Sequence, residues 1–434
     1  MTGYVPDRGG GGGGTALRTI TKNGVSIDLN SGSYISDNWD PQAIPRVASI
    51  FSGPGLDLPY VDFVDSSAER RIPLSCEIQG NSGQDLESKV NALIELLPLP
   101  GELATLTLQR SGGSSSVTAN IIAVENLSAP YDVARDLDEA DLCHLDCDLI
   151  CEGYLYGAST ALFSGSYGVD AVFDLSAMTG TAPAALDVQM DFGSSQRGEC
   201  LAWGVYPTPA TAIGTFIHTM AAQSWTGGGA AAADSKGYPA GSGNTVWSSS
   251  LASAVYCSFD TSALVAGTYA VWARVKTALG GVIGVGQTFS IAAANAVSVN
   301  EGTLCWQYVG LVSLPTQRIL SGTAPLFVSM TADGSHATAV NAVALIPASF
   351  GGFCGWNGAP ADSANNARVY RSTGDVLYGD GGPSLSSMLG RSPMIGNGGT
   401  LVVIGENDVA ANRTPNASLA QAISYVPRWE QFPG

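Results

Sequence analysis

Sulfur and imidazole side chains, the usual ligands of zinc, gather at Cys143, His144, Cys147 and Cys151. Their spacing argues against a shared metal, because the three cysteines alternate with polar residues and fall on one face of a predicted strand. At a rise of about 3.4 Å per residue, the three thiols spread over about 27 Å along that strand. The pattern favours small buried hydrophobic side chains over a zinc site.

A cluster of carboxylates precedes these cysteines: Asp132, Asp136, Asp138, Glu139 and Asp141. Carboxylate oxygens are calcium ligands, but a calcium loop also needs a fixed oxygen spacing and a central glycine, and both are missing here. We therefore expect no metal and no cofactor in this chain.

The sequence contains few residue combinations that could catalyse a reaction. Nucleophilic catalysis needs a Ser or Cys beside a positioned base, usually His, and the only histidines are His144, His218 and His336, in distant segments. No G-x-S-x-G motif is present. A glycosidase built on two carboxylates, such as a cell-wall-degrading enzyme, stays open in principle, but no particular pair is indicated. The sequence predicts a protein that is not an enzyme.

Tryptophans offer a different chemistry, since an exposed indole can stack on a sugar face while Arg bonds the sugar hydroxyls. The alternation in GTYAVWARVK (267–276) predicts that Trp272 and Arg274 point outward. Trp272, Arg274, Trp225 and Trp247 are therefore candidates for carbohydrate binding. The alternative is that all six tryptophans of this region fill a core or a subunit interface; they are Trp203, Trp225, Trp247, Trp272, Trp306 and Trp356.

One amphipathic helix is the clearest element in the chain. Apolar residues recur at helical spacing after Ser82 and Asp85, which can accept the first backbone N–H groups, and Pro98 and Pro100 stop the pattern. The helical face that must be buried comprises Leu86, Val90, Leu93, Ile94 and Leu97.

Strands are predicted on both sides of this helix. Ile72, Leu74, Cys76 and Ile78 alternate with polar residues before it, and ATLTLQ (104–109) alternates after it. Asn23-Gly24 predicts a tight hairpin. The proline-rich stretch 39–63 is either a long loop or a pair of edge strands, and TGGGAAAADSKG (226–237) is expected to be a mobile loop.

Composition points to a mainly β protein with many turns, because the 434 residues include 54 glycines and only 13% are charged. The net charge is -18, and the first 157 residues hold 22 acidic against 9 basic side chains. Such a surface repels nucleic-acid phosphates. The eight cysteines are too dilute for a disulfide framework, so free thiols are expected. Neither a standard signal peptide nor a membrane span is predicted.

The first 157 residues resemble the N-terminal domain of distal tail proteins of long-tailed, non-contractile bacteriophages. The resemblance lies in the order of the hairpin, the proline-rich loop, RRIPLSCEIQGNSGQDLESKVNALIELL, a strand ending at Gln109-Arg110, and PYDVARDLDEADLCHLDCDLICEGYLYG. It covers about a third of the chain. Residues 158–350 resemble jelly-roll carbohydrate-binding modules in GTYAVWARVK and AVNAVALIP.

This resemblance implies a β-sandwich tail-tube-like domain with one α-helix, followed by jelly-roll or galectin-like sandwich domains. It implies a ring, usually of six copies, that joins the tail tube to the tail tip, whose acidic lumen lets DNA pass without binding it. The implied partners are further copies of the chain, the tail tube protein, the tail-tip hub protein and fibres, in a virion assembled in the host cytoplasm. A protein that binds host cell-wall carbohydrate is the alternative function.

The expected segments are a glycine-rich flexible arm (1–15), the ring-forming domain (16–157), a carbohydrate-binding-like jelly roll (158–350) and a β segment that completes a sandwich (351–434).

Overall fold

A computed structural model of the chain describes a defined set of residues. They are 18–30, 32–37, 49–51, 60–62, 69–109, 115–129, 142–167, 171–191, 196–209, 212–235, 237, 243–277, 279–288, 296–299, 304–316, 324–350, 352–357, 367–370, 376–378, 388–390, 394–409, 412–414 and 419–429. The glycine-rich arm and the carboxylate cluster 132–141 lie outside these residues.

The chain divides into two compact units. Unit 1 comprises Met1–Ser159, Gly180–Ala182 and Val426–Gly434, and unit 2 comprises Thr160–Thr179 and Pro183–Tyr425. Residues 351–425 thus belong with the segment predicted as a jelly roll, whereas 426–434 belong with the N-terminal unit. The return of residues 426–434 to the N-terminal unit was not predicted from the sequence.

The regular elements of unit 1 are β1 (Arg18–Lys22), β2 (Val25–Asp28), β3 (Tyr34–Asp37), β4 (Ser49–Phe51), β5 (Tyr60–Asp62), β6 (Arg70–Gln79), α1 (Gly83–Leu96), β7 (Ala104–Gln109), β8 (Ser116–Ser128), β9 (Leu142–Cys151), β10 (Leu155–Tyr156) and β33 (Arg428–Trp429). The proline-rich stretch contributes the antiparallel pair β4–β5, which decides between the two alternatives left open by its sequence. The Asn23-Gly24 hairpin is confirmed, with φ of 52° and 81° at its two turn residues.

The main sheet of unit 1 runs in the order β2-β1-β7-β8-β9-β6-β3, with β10 beside β8 and β33 beside β10. The two ends of this sheet come close together: Arg18 Nη1 of β1 donates to the backbone oxygen of Ser36 of β3 at 2.8 Å, and the N–H of Ser36 donates to the oxygen of Leu29, directly after β2, at 2.9 Å. The sheet therefore curls around a core to which α1 and the alternating side chains of β6, β7 and β9 contribute.

Helix α1 begins and faces its core as the sequence predicts. Ser82 Oγ accepts from the backbone N–H of Asp85 at 3.2 Å, and Asp85 Oδ2 accepts from the N–H of Asn81 at 2.8 Å. Four residues of the predicted face are fully buried and Ile94 packs partly buried against the same core. The four are Leu86, Val90, Leu93 and Leu97.

The strands of unit 2 are β11 (Thr160–Tyr167), β12 (Ala171–Asp174), β13 (Ala184–Asp191), β14 (Gln196–Tyr206), β15 (Ile217–Thr219), β16 (Ala230–Ala233), β17 (Asn244–Ser249), β18 (Val255–Asp260), β19 (Gly267–Thr277), β20 (Gly281–Gly286), β21 (Ala296–Val299), β22 (Cys305–Leu314), β23 (Pro325–Thr331), β24 (Thr338–Pro347), β25 (Phe353–Asn357), β26 (Ala367–Tyr370), β27 (Val376–Tyr378), β28 (Met388–Gly390), β29 (Met394–Ile395), β30 (Thr400–Val409), β31 (Asn412–Thr414) and β32 (Leu419–Tyr425).

These strands build one sandwich inserted into another. The outer sandwich pairs the sheet β11-β32-β13-β26-β27 with the sheet β12-β30-β14-β25-β28 around a common core. Between β14 and β25, the chain forms the inner sandwich, in which β16-β17-β24-β19-β22 faces β18-β23-β20-β21. A single core also joins β19 and β24 to Ala202, Val402 and Ile404 of the outer sandwich. The sheet that contains β19 is therefore covered on both faces.

The predicted fold class is confirmed, since the described residues are mainly β, with one α-helix among them and several sheets consistent with β-sandwich domains. In the part of the chain that the structure describes, no helix combines the length and apolar character needed to cross a membrane.

Candidate interaction surfaces

Strand β9 separates a buried thiol face from a charged face. Cys143, Cys147 and Cys151 are buried in the unit 1 core, as the alternation predicted. Burial raises the pKa of both the Cys147 and Cys151 thiols to about 12. The thiolate is the form that binds metals and attacks electrophiles, so these sulfurs act as small apolar groups at neutral pH.

The charged face is acidic. His144 and Asp146 are exposed on β9, and Asp148 is half-buried. Arg71 of β6 lies 2.6 Å from Glu125 of β8 and 3.9 Å from Asp148. A single arginine thus faces several carboxylates, and the surface of β6, β8 and β9 keeps the negative character that the composition predicted for this unit.

The predicted outward orientation of Trp272 and Arg274 is wrong. Both side chains are 0% exposed, as are Tyr269, Val271 and Ala273 on the opposite face of β19. The cause is the sheet of the outer sandwich: a Cβ placed on Gly355 of β25 would lie 2.6 Å from the Trp272 ring. Alternation predicts exposure only where one face of a sheet meets water, and this sheet has no such face at β19.

Arg274 is held inside by polar groups of neighbouring strands. Its Nη1 donates to Asn341 Oδ1 at 3.1 Å, and Asn341 Nδ2 donates to the backbone oxygen of Thr245 at 2.6 Å. Buried polar groups need such partners to offset the loss of water. Arg274 therefore ties β19, β24 and β17 together instead of meeting a sugar.

Trp225 and Trp247 remain on the surface of the inner sandwich, half-buried and stacked on each other. Their ring centroids are 5.5 Å apart and their planes differ by 2°. Trp225 Nε1 donates to Met220 O at 2.9 Å and Trp247 Nε1 to Gly228 O at 3.3 Å. Both N–H groups are bonded internally, so the exposed part of the pair consists of apolar ring surface.

A turn of three glycines positions this tryptophan pair. This role of the glycines was not predicted from the sequence. Gly227, Gly228 and Gly229 all have positive φ, and a Cβ on Gly229 would lie 2.7 Å from Trp247 Nε1. The three consecutive glycines were the available signal. The mobile loop predicted at 226–237 is wrong at Ala230–Ala233, because these alanines form β16 and pair with β17.

The remaining tryptophans supply no further exposed ring among the described side chains of unit 2. Trp203 and Trp306 are buried, like Trp272, so the core alternative holds for these three. The side chain of Trp356 lies outside the described residues.

The three histidines lie on separate elements. His144 is on β9, His218 on β15, and His336 follows β23, where its Nδ1 lies 2.6 Å from Asp333 Oδ2. No group of three or more metal-binding side chains converges within the ranges described.

Protonation of His218 is expected to destabilise unit 2 in mild acid. Its ring stacks on Phe259 at 4.2 Å, and burial lowers its pKa from 6.5 to about 4 despite the nearby Asp260. As the pH falls, the histidine of the unfolded chain therefore binds a proton before that of the folded chain. The stability that depends on the neutral ring is fully present above pH 6.5 and is lost as the pH falls toward 4. At about 1.4 kcal/mol per pKa unit, reduced for the partial solvent exposure of the ring, the loss is roughly 2 kcal/mol.

Urea unfolding at pH 7 and at pH 4.5 measures this loss, and His218→Phe serves as the control because it keeps the stacking on Phe259 without the titration. The variant should lose less stability than the wild type over the same pH interval. An equal loss in both proteins would assign the acid sensitivity to other groups.

Comparisons with known proteins give structural likeness only. No protein-family model matches the sequence, and no curated protein matches it either. Among solved structures, the chain is similar to the SPP1 Dit (gp 19.1) protein, described as a paradigm of the hub adsorption apparatus in phages that infect Gram-positive bacteria. The identity is 12%, the TM-score 0.30, and the match covers 45% of this chain and 72% of that one.

The chain is also similar to a protein of the phage p2 baseplate in its activated conformation, in structures with Ca and with Sr. The identity is 9%, the TM-score 0.29, and the match covers 96% of this chain and 100% of that one. These structural neighbours are phage hub and baseplate proteins. TM-scores of 0.29 and 0.30 assign neither a fold nor a function to this chain.

Proposed function

We propose that this protein is a structural component of the distal end of a phage tail, in which unit 1 forms a ring that joins the tail tube to the tail tip. The observation that carries the proposal is the capped helix α1 packed into a curled sheet, within the segment whose order of elements resembles distal tail proteins. The role is non-enzymatic and needs no cofactor.

The charge of unit 1 supports a role around passing DNA. The face of β6, β8 and β9 exposes Glu125 and Asp146, while Arg71 is paired with carboxylates. A negative lumen repels phosphates and lets a duplex pass without sticking. Free thiols buried in the core fit assembly in a reducing cytoplasm.

The oligomeric state of the purified full chain tests the proposal. We expect a closed ring, usually of six copies in the family it resembles, seen by negative-stain electron microscopy and as a matching mass by light scattering. A protein that stays monomeric at high concentration and forms no ring on grids would contradict it.

The proposed partners are the tail tube protein on one side of the ring and the tail-tip hub protein, with fibres, on the other. Labelled antibody against the chain is expected to mark the distal end of intact virions. Label confined to capsids, or absent from virions, would contradict this location.

A second candidate function is binding of host cell-wall carbohydrate by unit 2. The observation that favours it is the half-exposed Trp225–Trp247 pair, whose N–H groups are already bonded. A flat apolar ring surface matches the C–H face of a pyranose. Trp272 and Arg274 have no part in this candidate because both are buried.

Replacing Trp247 by alanine is expected to weaken binding to purified cell-wall polysaccharide by about tenfold, because a central tryptophan carries a large share of the binding energy where it contributes to an interface. Titration calorimetry measures the effect. Leu279→Ala, at a side chain 57% exposed, is the matched control and should bind like the wild type. Equal affinity of the Trp247 variant and the wild type, or no binding by either, would remove this candidate.

A further inference from the structure

The short strand β33 lies between two other segments of unit 1. On one side it pairs with β10, with Leu155 opposite Trp429 and Tyr156 opposite Arg428, and Gly157 N donates to Pro427 O at 2.9 Å. On the other side, the N–H groups of Thr181 and Ala182 donate to Arg428 O at 2.9 and 3.1 Å. Residues 427–429 therefore have backbone partners on both flanks.

The side chains of Arg428 and Trp429 in β33 each occupy a defined pocket, or seat. The Arg428 guanidinium lies over the rings of Tyr154 and Tyr156, at 5.5 and 5.7 Å from their centroids, within the range of a cation–π interaction. Trp429 packs half-buried against the hydrophobic core of unit 1. One residue thus contributes a charge on aromatic faces and the next contributes apolar area.

Two glycines make room for this strand. A Cβ on Gly157 would lie 2.6 Å from the Trp429 ring, and a Cβ on Gly180 would lie 2.8 Å from Arg428 O. Gly180 also has φ of +112°, a conformation that other residues rarely adopt. The seat is therefore shaped for an extended backbone that carries a large aromatic ring next to a cation.

We propose that Tyr154, Tyr156, Gly157 and residues 180–182 form a strand-acceptor site on unit 1, specific for an extended segment with an arginine followed by an aromatic residue. The chain's own residues 427–429 fill it in cis. Residues 154–157, 180–182 and 427–429 all belong to unit 1, and in the sequence they lie next to the points where the chain passes between the two units. Strand addition of this kind draws affinity from the main chain and specificity from the side-chain seats.

The strand that fills the site is short. Its ladder with β10 is two residues long. Short segments of this kind open at a free energy below that of global unfolding. The segment is therefore an exchangeable latch, and a peptide of the same sequence should compete for its site.

Cleavage of the folded full chain tests the proposal. A protease site inserted between Tyr425 and Val426 is cut after purification, and the sample is then passed over a gel-filtration column. We expect the peptide 426–434 to co-elute with the cut protein, and a labelled synthetic copy to exchange into it. Peptides carrying Trp429→Ala or Arg428→Ala should bind at least about tenfold more weakly. Loss of the wild-type peptide, or equal binding of all three peptides, would overturn the proposal.

Hydrogen exchange on the uncut protein gives a second readout that needs no cleavage. In Trp429→Ala, the amides of Gly157, Thr181 and Ala182 should exchange about tenfold faster, while those of β18 and β23 stay unchanged. Gly157→Val, which fills the seat from the acceptor side, should reproduce this pattern, and Leu279→Ala should not. Unchanged exchange at these three amides in both seat variants would overturn the proposal.

Discussion

Replacement of Trp272 by alanine is expected to lower the free energy of unfolding of unit 2 by about 4 kcal/mol. The ring is 0% exposed, lies 5.2 Å from the Tyr308 ring, and fills the space above Gly355. Its removal leaves a cavity between the inner and outer sandwiches that the surrounding strands can close only in part.

Urea unfolding followed by far-UV circular dichroism measures this loss without relying on tryptophan emission. Trp272→Phe should cost clearly less, because much of the ring volume stays. Trp225→Ala, which truncates a half-exposed tryptophan, is the matched control and should cost less than the core truncation. A loss below about 1 kcal/mol for Trp272→Ala would mean that the ring does not fill a core position.

Leu93→Ala should lower the free energy of unfolding of unit 1 by about 3 kcal/mol. Leu93 is 0% exposed and lies at the centre of the α1 face that packs into the curled sheet. The truncation removes buried methyl groups and leaves a cavity under the helix, so α1 loses part of the packing that stabilises it in water.

Leu99→Ala is the matched control for this prediction, because it deletes the same atoms from a side chain that is 66% exposed just beyond the helix. Its effect should stay within about 0.5 kcal/mol. Hydrogen exchange at the α1 amides, compared between the two variants, distinguishes loss of the helix from a general loss of stability. Equal unfolding free energies for both variants would contradict the burial of the helical face.

Elements governed by neighbouring residues were predictable from the sequence. The cap at Ser82, the turn at Asn23-Gly24 and the alternation in β6 each depend on positions a few residues apart. That alternation buries Ile72, Leu74, Cys76 and Ile78. The burial of Cys143, Cys147 and Cys151 followed from the same alternation. For these elements local geometry and the final packing agree, so the pattern was sufficient.

Features decided by distant parts of the chain were not predictable. Trp272 is buried because β25 and β14 cover the sheet. No residue pattern within GTYAVWARVK indicates that other strands pack on it. The run TAVNAVALIP of β24 was the available hint, since a strand without polar alternation indicates burial on both faces, and all ten of its residues are buried. The alanines of β16 have low strand propensity and become a strand through pairing with β17.

The tryptophan pair shows the same division within a candidate site. Trp225 and Trp247 were identified from their residue type, but their mutual stacking depends on the Gly227–Gly229 turn and on strand pairing between β16 and β17. Sequence identified the side chains available for chemistry. Only tertiary pairing decided which of them reach the surface.

Because unit 2 is inserted in the sequence of unit 1, its strands are synthesised before those of unit 1 are complete. Residues 428 and 429 emerge only after all of unit 2 has been synthesised, which at about 5–20 residues per second delays the closing of unit 1 by tens of seconds. All strands of the inner sandwich are synthesised before the last strands of the outer one, and these are synthesised before β33. The sheets therefore receive their last strands from the middle of the chain outward, and the sheet that holds the earliest translated strands is the last to receive all of its own.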